Sequence, residues 1–259
     1  MPAQLQAARE GQTLVLTLRN PELRNAIDPV MYAAGIEALN VAESSTEVRS
    51  VIITGADGMF CSGGNLRHLQ ASRQADPQGQ VQGIEGLHSW IETIRAFPKP
   101  VIAAVEGAAA GAGFSLALAC DLVVAARNAV FVMAYSNVAL SPDGGASWSL
   151  AQALPRQLAT EILMCGDRIA AERLHALGVV NRLAEPGSAL ATALALADQL
   201  NARAPNVLSS IKELAAEAPH NTLCTHLTSE RDHFVKNLHH ANAGAGIAAF
   251  LEKRTPRYE

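Results

Sequence analysis

The sequence predicts an α/β fold that ends in an all-helical region, and three observations lead to this prediction. Short apolar segments rich in Val and Ile alternate along the chain with segments of helical spacing. These strand candidates are apolar at nearly every position, which is typical of strands buried on both faces of a sheet. Residues 201–259 show helical spacing and no strand pattern. We therefore assign residues 1–200 to an α/β core and residues 201–259 to a C-terminal helical region.

The predicted elements follow one another in a regular order. A strand at residues 14–18 ends at Asn20-Pro21, and the next helix begins at Pro29, because proline suits the first helical turn. Further short apolar runs predict strands at residues 51–54, 101–105, 122–125, 130–132 and 179–183. Residues 72–83 are rich in Gln, Asp, Pro and Gly, and this composition predicts a mobile loop.

Length, composition and charge exclude several classes of protein. The chain has 259 residues, of which 49% are hydrophobic and 17% charged, so it can bury a core without metals or disulfides. A net charge of −4 without a basic run argues against a nucleic-acid partner. The four cysteines lie far apart and no metal-binding spacing occurs, so we expect no metal. The N-terminus lacks a signal-peptide pattern, and Glu106 and Asp121 interrupt the apolar stretch at residues 101–126. These features predict a cytoplasmic protein with no membrane partner.

Two loops rich in small residues follow two of the predicted buried strands. The first has the sequence FCSGGNL at residues 60–66, and the second has EGAAAGAGF at residues 106–114. In open α/β sheets, ligands bind beyond the carboxyl ends of the strands. Small residues let backbone N–H groups approach a ligand oxygen, and two such groups would form an oxyanion hole. Each loop alone is explained by tight turns and close helix packing, but the pair favours a site.

A third segment, SPDGGASW at residues 141–148, contains a carboxylate in a turn. Pro-Asp-Gly is a common turn sequence, and Asp143 could equally cap the helix that follows.

Other motifs are incomplete. Gly111-Ala112-Gly113 lacks the third glycine of a dinucleotide fingerprint, and Ser115 does not stand in a G-x-S-x-G elbow.

Taken together, the order and spacing of several segments resemble the crotonase superfamily, also called the enoyl-CoA hydratase/isomerase family, over essentially the whole chain. The matching segments are Asn20-Pro21 with Asn25-Ala26, FCSGG at residues 60–64, KPVIAAVEG at residues 99–107, Cys120-Asp121-Leu122 and AAFLEKR at residues 248–254. The resemblance implies a spiral of ββα units with a C-terminal trimerisation region, and a homotrimer or hexamer as the assembly. It also implies a coenzyme A thioester as substrate, with no further cofactor.

The resemblance implies roles for residues at matching positions. The Gly64 and Ala112 N–H groups would bind the thioester carbonyl, although the family usually has Gly at the second position. Contacts to coenzyme A are expected from Arg24, Ala26, Cys61, Ser62, Leu66 and Tyr135. The first loop usually ends in Asp in this family, and here it ends in Asn65.

The acid–base positions separate the activities of the family. Hydratases of this family use two Glu residues, and the matching positions here hold Ser115 and Tyr135, which disfavours hydration. Asp143 matches the position at which a subset of the family carries its acting carboxylate. The surrounding sequence is most similar to the ring-epoxide isomerase of phenylacetyl-CoA degradation and its relatives, which also shift double bonds. An enoyl-CoA isomerase with Asp143 as the base is therefore the expected function.

Other functions stay open at this point. His88 matches a His of the family's aryl-CoA dehalogenases, and Asp143 matches their nucleophilic Asp. Those enzymes, however, have Trp at the position where this chain has Tyr135. An enoyl-CoA hydratase is a further alternative within the family. From a different class, the chain could bind acyl-CoA without turnover.

Overall fold

A computed structural model describes residues 3–74 and 77–259 of the chain. Its strands are β1 (Gln4–Glu10), β2 (Thr13–Arg19), β3 (Ser50–Gly55), β4 (Val101–Val105), β5 (Ala108–Ala110), β6 (Leu122–Ala126), β7 (Val130–Val132), β8 (Arg168–Ala170) and β9 (Arg182–Ala184). Its helices are α1 (Pro29–Ser44), α2 (Leu66–Ser72), α3 (Pro77–Ala96), α4 (Ala112–Ala119), α5 (Ala146–Ala153), α6 (Arg156–Cys165), α7 (Ala171–Ala176), α8 (Ala189–Asn201), α9 (Pro205–Glu217), α10 (Leu223–Leu238) and α11 (Ala241–Leu251). Three short 3₁₀ turns complete the elements at Pro21–Leu23, Ser136–Val138 and Ala218–His220.

The strands form two sheets that set the direction of the loops. The larger sheet has the order β1-β2-β3-β4-β6-β9, and all neighbours are parallel except β1 and β2. The smaller sheet has the order β5-β7-β8. Because β3 and β4 are parallel neighbours in register from Val51–Val101 onward, the loops that follow them leave the same edge of the sheet.

Alternation of side chains along the central strands divides the core in two. Val51 and Ile53 belong to the larger cluster, while Ile52 between them belongs to a smaller one on the opposite face. The smaller cluster is closed by alanines of α8, among them Ala189 and Ala193. Small side chains let this helix lie close to the sheet, which accounts for part of the high alanine content.

Two buried asparagines hold the segment between β2 and α1. Asn25 adopts a left-handed backbone conformation with φ of 58°, which Asn tolerates better than most residues. Its side-chain oxygen accepts the Asn20 N–H at 2.9 Å, and its amide donates to the carbonyls of Ala56 and Met59. The Asn20 amide in turn donates to the Ala26 carbonyl at 3.0 Å. This segment is therefore fixed to the turn that follows β3.

The C-terminal helices α9, α10 and α11 follow the last strand of the described chain. Lys212 of α9 connects them to the core, because its ammonium donates to Asp121 at 2.9 Å and to the Ile94 carbonyl at 3.0 Å. The predicted boundary near residue 200 coincides with the end of α8, and a division into domains stays a prediction. Within the described ranges, no helix is long and apolar enough to cross a membrane.

The structure corrects three predictions of local structure. Residues 77–83 belong to α3 rather than to a mobile loop, whereas residues 75 and 76 lie outside the described ranges. The strand expected at residues 179–183 begins only at Arg182. The strand β1 was not predicted, because its mostly exposed sequence QLQAARE shows no apolar alternation.

Candidate active site

The two predicted loops are joined by backbone hydrogen bonds. The Cys61 N–H donates to the Ala108 carbonyl at 3.0 Å, and the Ala110 N–H donates to the Cys61 carbonyl at 2.9 Å. Gly113 lets the start of α4 approach the same residue, since a Cβ at this position would lie 2.6 Å from the Cys61 carbonyl oxygen and 2.7 Å from its sulfur. The loops therefore form one unit at the carboxyl ends of β3 and β4.

The two loops also approach each other closely at Gly63. This residue has φ of 101°, and a Cβ there would lie 2.8 Å from the Ala110 carbonyl oxygen and 3.5 Å from the Ala112 nitrogen. A side chain at position 63 would be strained and would also push the second loop away. Glycine is thus required at this position to bring the Gly64 and Ala112 backbones together.

The Gly64 and Ala112 N–H groups are both available to a ligand. Neither donates to any acceptor in residues 3–74 and 77–259. Ala112 is the first residue of α4, where N–H groups have no partner within the helix and the helix dipole favours negative charge. Two free N–H donors on neighbouring loops can hold a carbonyl oxygen that gains negative charge, which is the property of an oxyanion hole.

Asp143 is held beside α4 by two hydroxyl groups. The Tyr135 hydroxyl donates to Asp143 Oδ1 at 2.5 Å, and the Ser115 hydroxyl donates to the Asp143 backbone carbonyl at 3.0 Å. Asp143 does not cap the helix that follows, because the residue at the N-cap of α5 is Gly145 and the cap has no side-chain hydrogen bond. The turn also packs against α4, since a Cβ at Gly144 would lie 3.0 Å from Ser115 Cβ.

Tyr135 serves as a hydrogen-bond donor to Asp143. Burial raises the pKa of Tyr135 far above its usual value, and the negative charge of Asp143 together with the hydrogen bond to it raises this pKa further. The phenol therefore stays protonated and donates to Oδ1, while Oδ2 of Asp143 accepts no hydrogen bond from the described residues. The substrate contact expected for Tyr135 stays a prediction, and within the described residues its hydroxyl donates to the Asp143 carboxylate.

Residues predicted to contact coenzyme A lie in two groups. Arg24 and Leu66 are exposed, and the Ser62 hydroxyl donates to the Leu23 carbonyl at 2.7 Å. Arg24 and Ser62 are adjacent, because the Ser62 N–H donates to the Arg24 carbonyl at 3.1 Å. Asn65 caps α2, because its side-chain oxygen accepts the N–H groups of Arg67 and His68. Asn caps a helix as well as Asp does, which explains why Asn65 is tolerated at a position where the family usually has Asp.

The other two predicted contacts are buried. Ala26 is 3% exposed, and its carbonyl already accepts the Asn20 amide. Cys61 is fully buried, and its sulfur accepts the Gly63 N–H at 3.3 Å. These bonds lie within the protein, and a contact of either residue with coenzyme A stays a prediction.

His88 lies apart from the carboxylate. It is exposed on α3, and no hydrogen bond or ion pair within the described part of the chain joins it to Asp143. Its neighbour Leu87 packs against the turn that carries Asp143, since a Cβ at Gly144 would lie 3.4 Å from Leu87 Cδ2.

The described residues also contain no group of three His, Cys, Asp or Glu side chains that could hold a metal ion.

Sequence reasoning missed Tyr32 of α1. The Tyr32 side chain is buried beside Trp90 and lies against Gly86 of α3, the residue before Leu87, which packs on the turn that carries Asp143. Its position one helical turn after Asp28 was the available signal, but the hydrophobic spacing of α1 also explains a buried tyrosine there.

The fold and site define an α/β protein with two unused backbone N–H groups on neighbouring loops and a carboxylate, Asp143, held against the helix that follows the second loop. Comparison with protein families agrees, since the model described as enoyl-CoA hydratase/isomerase matches residues 8–259. The chain therefore belongs to the enoyl-CoA hydratase/isomerase family and has the crotonase fold. This confirms the expected spiral architecture.

Individual relatives carry both kinds of activity in their names. The chain is 35% identical to 1,2-epoxyphenylacetyl-CoA isomerase of Escherichia coli K12, over 96% of this chain and 95% of that protein. It is 30% identical to 2,3-dehydroadipyl-CoA hydratase of the same organism, over 99% of both. Among solved structures, an enoyl-CoA hydratase from Polaromonas sp. JS666 superposes with a TM-score of 0.98 at 67% identity, covering 98% of this chain and 99% of that one.

Cys61 provides a test of the loop arrangement. Burial raises the pKa of Cys61 to about 12, so the reactive thiolate stays unpopulated at pH 9. We expect iodoacetamide at pH 9 to alkylate the exposed Cys165 and to leave Cys61 unmodified, as measured by peptide mass spectrometry. Alkylation of Cys61 at the rate of Cys165 in the folded protein would contradict the buried contact with Gly113.

Proposed function

We propose that the protein is an enoyl-CoA isomerase in which Asp143 shuttles a proton along the acyl chain. The observation that carries this proposal is the hydrogen bond from Tyr135 to Asp143 Oδ1, which leaves one carboxylate oxygen free beside α4. The family supplies the acyl-CoA thioester as the substrate class, and the named isomerase relative supports the reaction.

The proposed reaction moves a double bond without any change of oxidation state. Asp143 Oδ2 takes a proton from the carbon next to the thioester carbonyl of a 3-enoyl thioester. The electron pair of that C–H bond moves into the conjugated system, and negative charge develops on the thioester oxygen. The Gly64 and Ala112 N–H groups hydrogen-bond to this oxygen. Asp143 then returns the proton to the fourth carbon, which gives the 2-enoyl thioester and restores the carboxylate.

Hydration is less well supported by this site. Adding water requires one group to activate the water and another to deliver a proton. The two positions that hold Glu in hydratases of this family hold Ser115 and Tyr135 here, and both hydroxyls are directed to Asp143. One carboxylate suffices for isomerisation, because the same proton is removed and returned.

The alternatives from the sequence have less support. A dehalogenase would place His88 beside Asp143, but His88 is exposed, and no hydrogen bond or ion pair joins the two within the described residues. A non-catalytic acyl-CoA binder would have no need for a carboxylate that is oriented by the Tyr135 hydroxyl in a turn held by the Ser115 hydroxyl. Either alternative predicts that 3-enoyl-CoA is not isomerised.

We also propose that the subunits assemble as a trimer through the C-terminal helices. Large apolar side chains on α10 and α11 are exposed in the single chain, including Phe234, Phe250 and Leu251, and Phe250 is 83% exposed. Exposed apolar patches of this kind mark interaction surfaces. A second copy of this chain is the proposed occupant, in line with the resemblance described above.

Replacing the proposed base separates binding from chemistry. We expect Asp143→Asn to lower kcat for 3-enoyl-CoA isomerisation by about 10²–10⁴-fold, because the amide cannot accept the proton. Binding of the thioester should persist, as measured by calorimetry. Tyr135→Phe is the matched variant, since it keeps the carboxylate and should retain partial turnover. Unchanged turnover in Asp143→Asn would disprove the assignment.

Removing one N–H group tests the oxyanion hole. Ala112→Pro deletes the donor at the first position of α4, where proline is tolerated by a helix. We expect kcat to fall by about 10²–10³-fold, because the enolate loses one hydrogen bond. Ala241→Pro, at the first position of α11, is the control and should keep wild-type activity. Equal activity of the two variants would exclude Ala112 as a donor.

The assembly is tested at the exposed phenylalanine. We expect Phe250→Glu to convert a trimer to smaller species, because a buried charge at the contact would lack a partner. Met164→Glu, which changes an exposed apolar residue of α6, should leave the mass unchanged. Sedimentation velocity measures both, and a wild-type protein that sediments as a monomer would overturn the proposal.

A further inference from the structure

A cavity of about 700 Å³ lies at the edge of the larger sheet opposite the candidate active site. Gln12 and Arg49, which immediately precede β2 and β3, line one side of it, and Gln199 and Arg203 at the end of α8 line another. Residues 255–258 of the C-terminal segment complete the wall. Because the two loops of the candidate site follow the carboxyl ends of β3 and β4, this cavity at the amino ends is separate from that site.

Hydrogen bonds hold the walls of this cavity in place. The Arg49 guanidinium donates to the Asn201 carbonyl at 3.2 Å and to the Tyr258 carbonyl at 2.8 Å. The last residue, Glu259, donates its N–H to the Asn242 side chain at 3.0 Å and accepts the Asn242 amide at 3.0 Å. The C-terminal segment is therefore attached both to the end of α8, through Arg49, and to α11, and it forms a wall of fixed position.

The cavity brings together three arginines, namely Arg49, Arg203 and Arg257, and no acidic side chain is among its described lining residues. None of the three forms an ion pair within residues 3–74 and 77–259. Like charges in one cavity repel each other, and a half-buried cation such as Arg49 normally has a partner of opposite charge. The missing partner is therefore an anion that is not part of the protein.

We propose that this cavity binds an anion with a diphosphate group, either free or as part of a nucleoside diphosphate. The planar guanidinium group matches the oxygen atoms of a phosphate and donates two parallel hydrogen bonds to them. Three guanidinium groups offer more donors than one phosphate can accept, and the volume of the cavity lies in the range of small-molecule sites. The proposal goes beyond the acyl-CoA chemistry and does not depend on it.

The test measures the binding of pyrophosphate and of ADP by calorimetry at constant ionic strength. We expect the wild-type protein to bind both ligands saturably. Arg203→Gln combined with Arg257→Gln should weaken this binding about 10- to 100-fold, because two charged donors to the phosphate oxygens are lost. Arg49 is left unchanged, since it also holds the C-terminal segment. Tighter binding of ADP would identify a nucleoside diphosphate as the ligand, and equal binding would identify the diphosphate group alone.

A matched control separates this cavity from general charge effects and from the acyl-CoA site. Arg168→Gln combined with Arg254→Gln removes the same charge from exposed residues that do not line the cavity, and it should keep the wild-type affinity for pyrophosphate. Both double variants should bind hexanoyl-CoA as the wild type does, and their circular dichroism spectra show whether they are folded.

Three results would overturn the proposal. The wild type could bind neither pyrophosphate nor ADP, the cavity variant could bind them as tightly as the control variant, or the cavity variant could lose affinity for hexanoyl-CoA to the same extent. A wild-type protein that binds pyrophosphate through these arginines but does not bind hexanoyl-CoA would refute the proposed function alone.

Discussion

The contact between Cys61 and the strand β5 is the interaction on which the rest of the site depends. Two backbone hydrogen bonds attach the first loop to the second, and the Cys61 side chain fills the space that Gly113 leaves open. Gly64 and Ala112 come from loops about fifty residues apart in the sequence. Without this short pairing, their N–H groups would have no fixed separation, and two free donors would not act on one oxygen.

Small residues in this protein set the distances between backbone segments as well as filling the core. Gly63 and Gly113 each occupy a position where a Cβ would collide with the opposite loop, and the alanines of α8 bring a helix close to the other face of the sheet. Larger residues at these positions would increase the distance between the two loops and the distance between α8 and the sheet. The low aromatic content of the chain is thus a consequence of how closely its backbone segments approach one another.

The sequence predicted those parts of the structure that local patterns determine. The buried strands, the two loops and the turn at Asp143 were expected, because apolar runs and small-residue turns are local signals. The N-terminal half of α3 was missed, although Val81, Ile84 and Leu87 recur at helical steps, because the polar and glycine content outweighed them. The hydrogen bond from Tyr135 to Asp143 depends on how the chain folds back between these two residues, and no residue pattern indicates it. The position of Tyr32 likewise depends on the packing of two helices.

The engagement of one oxygen of Asp143 by Tyr135 has a stereochemical consequence. Both oxygens of a single carboxylate lie on the same side of a planar intermediate. In the proposed reaction, Asp143 would therefore remove the proton from the second carbon and deliver a proton to the fourth carbon on the same face of the dienolate. The Tyr135 hydroxyl donates to Oδ1 and so holds the carboxylate in one orientation, which means that a residue without an acid–base role would help to fix this face.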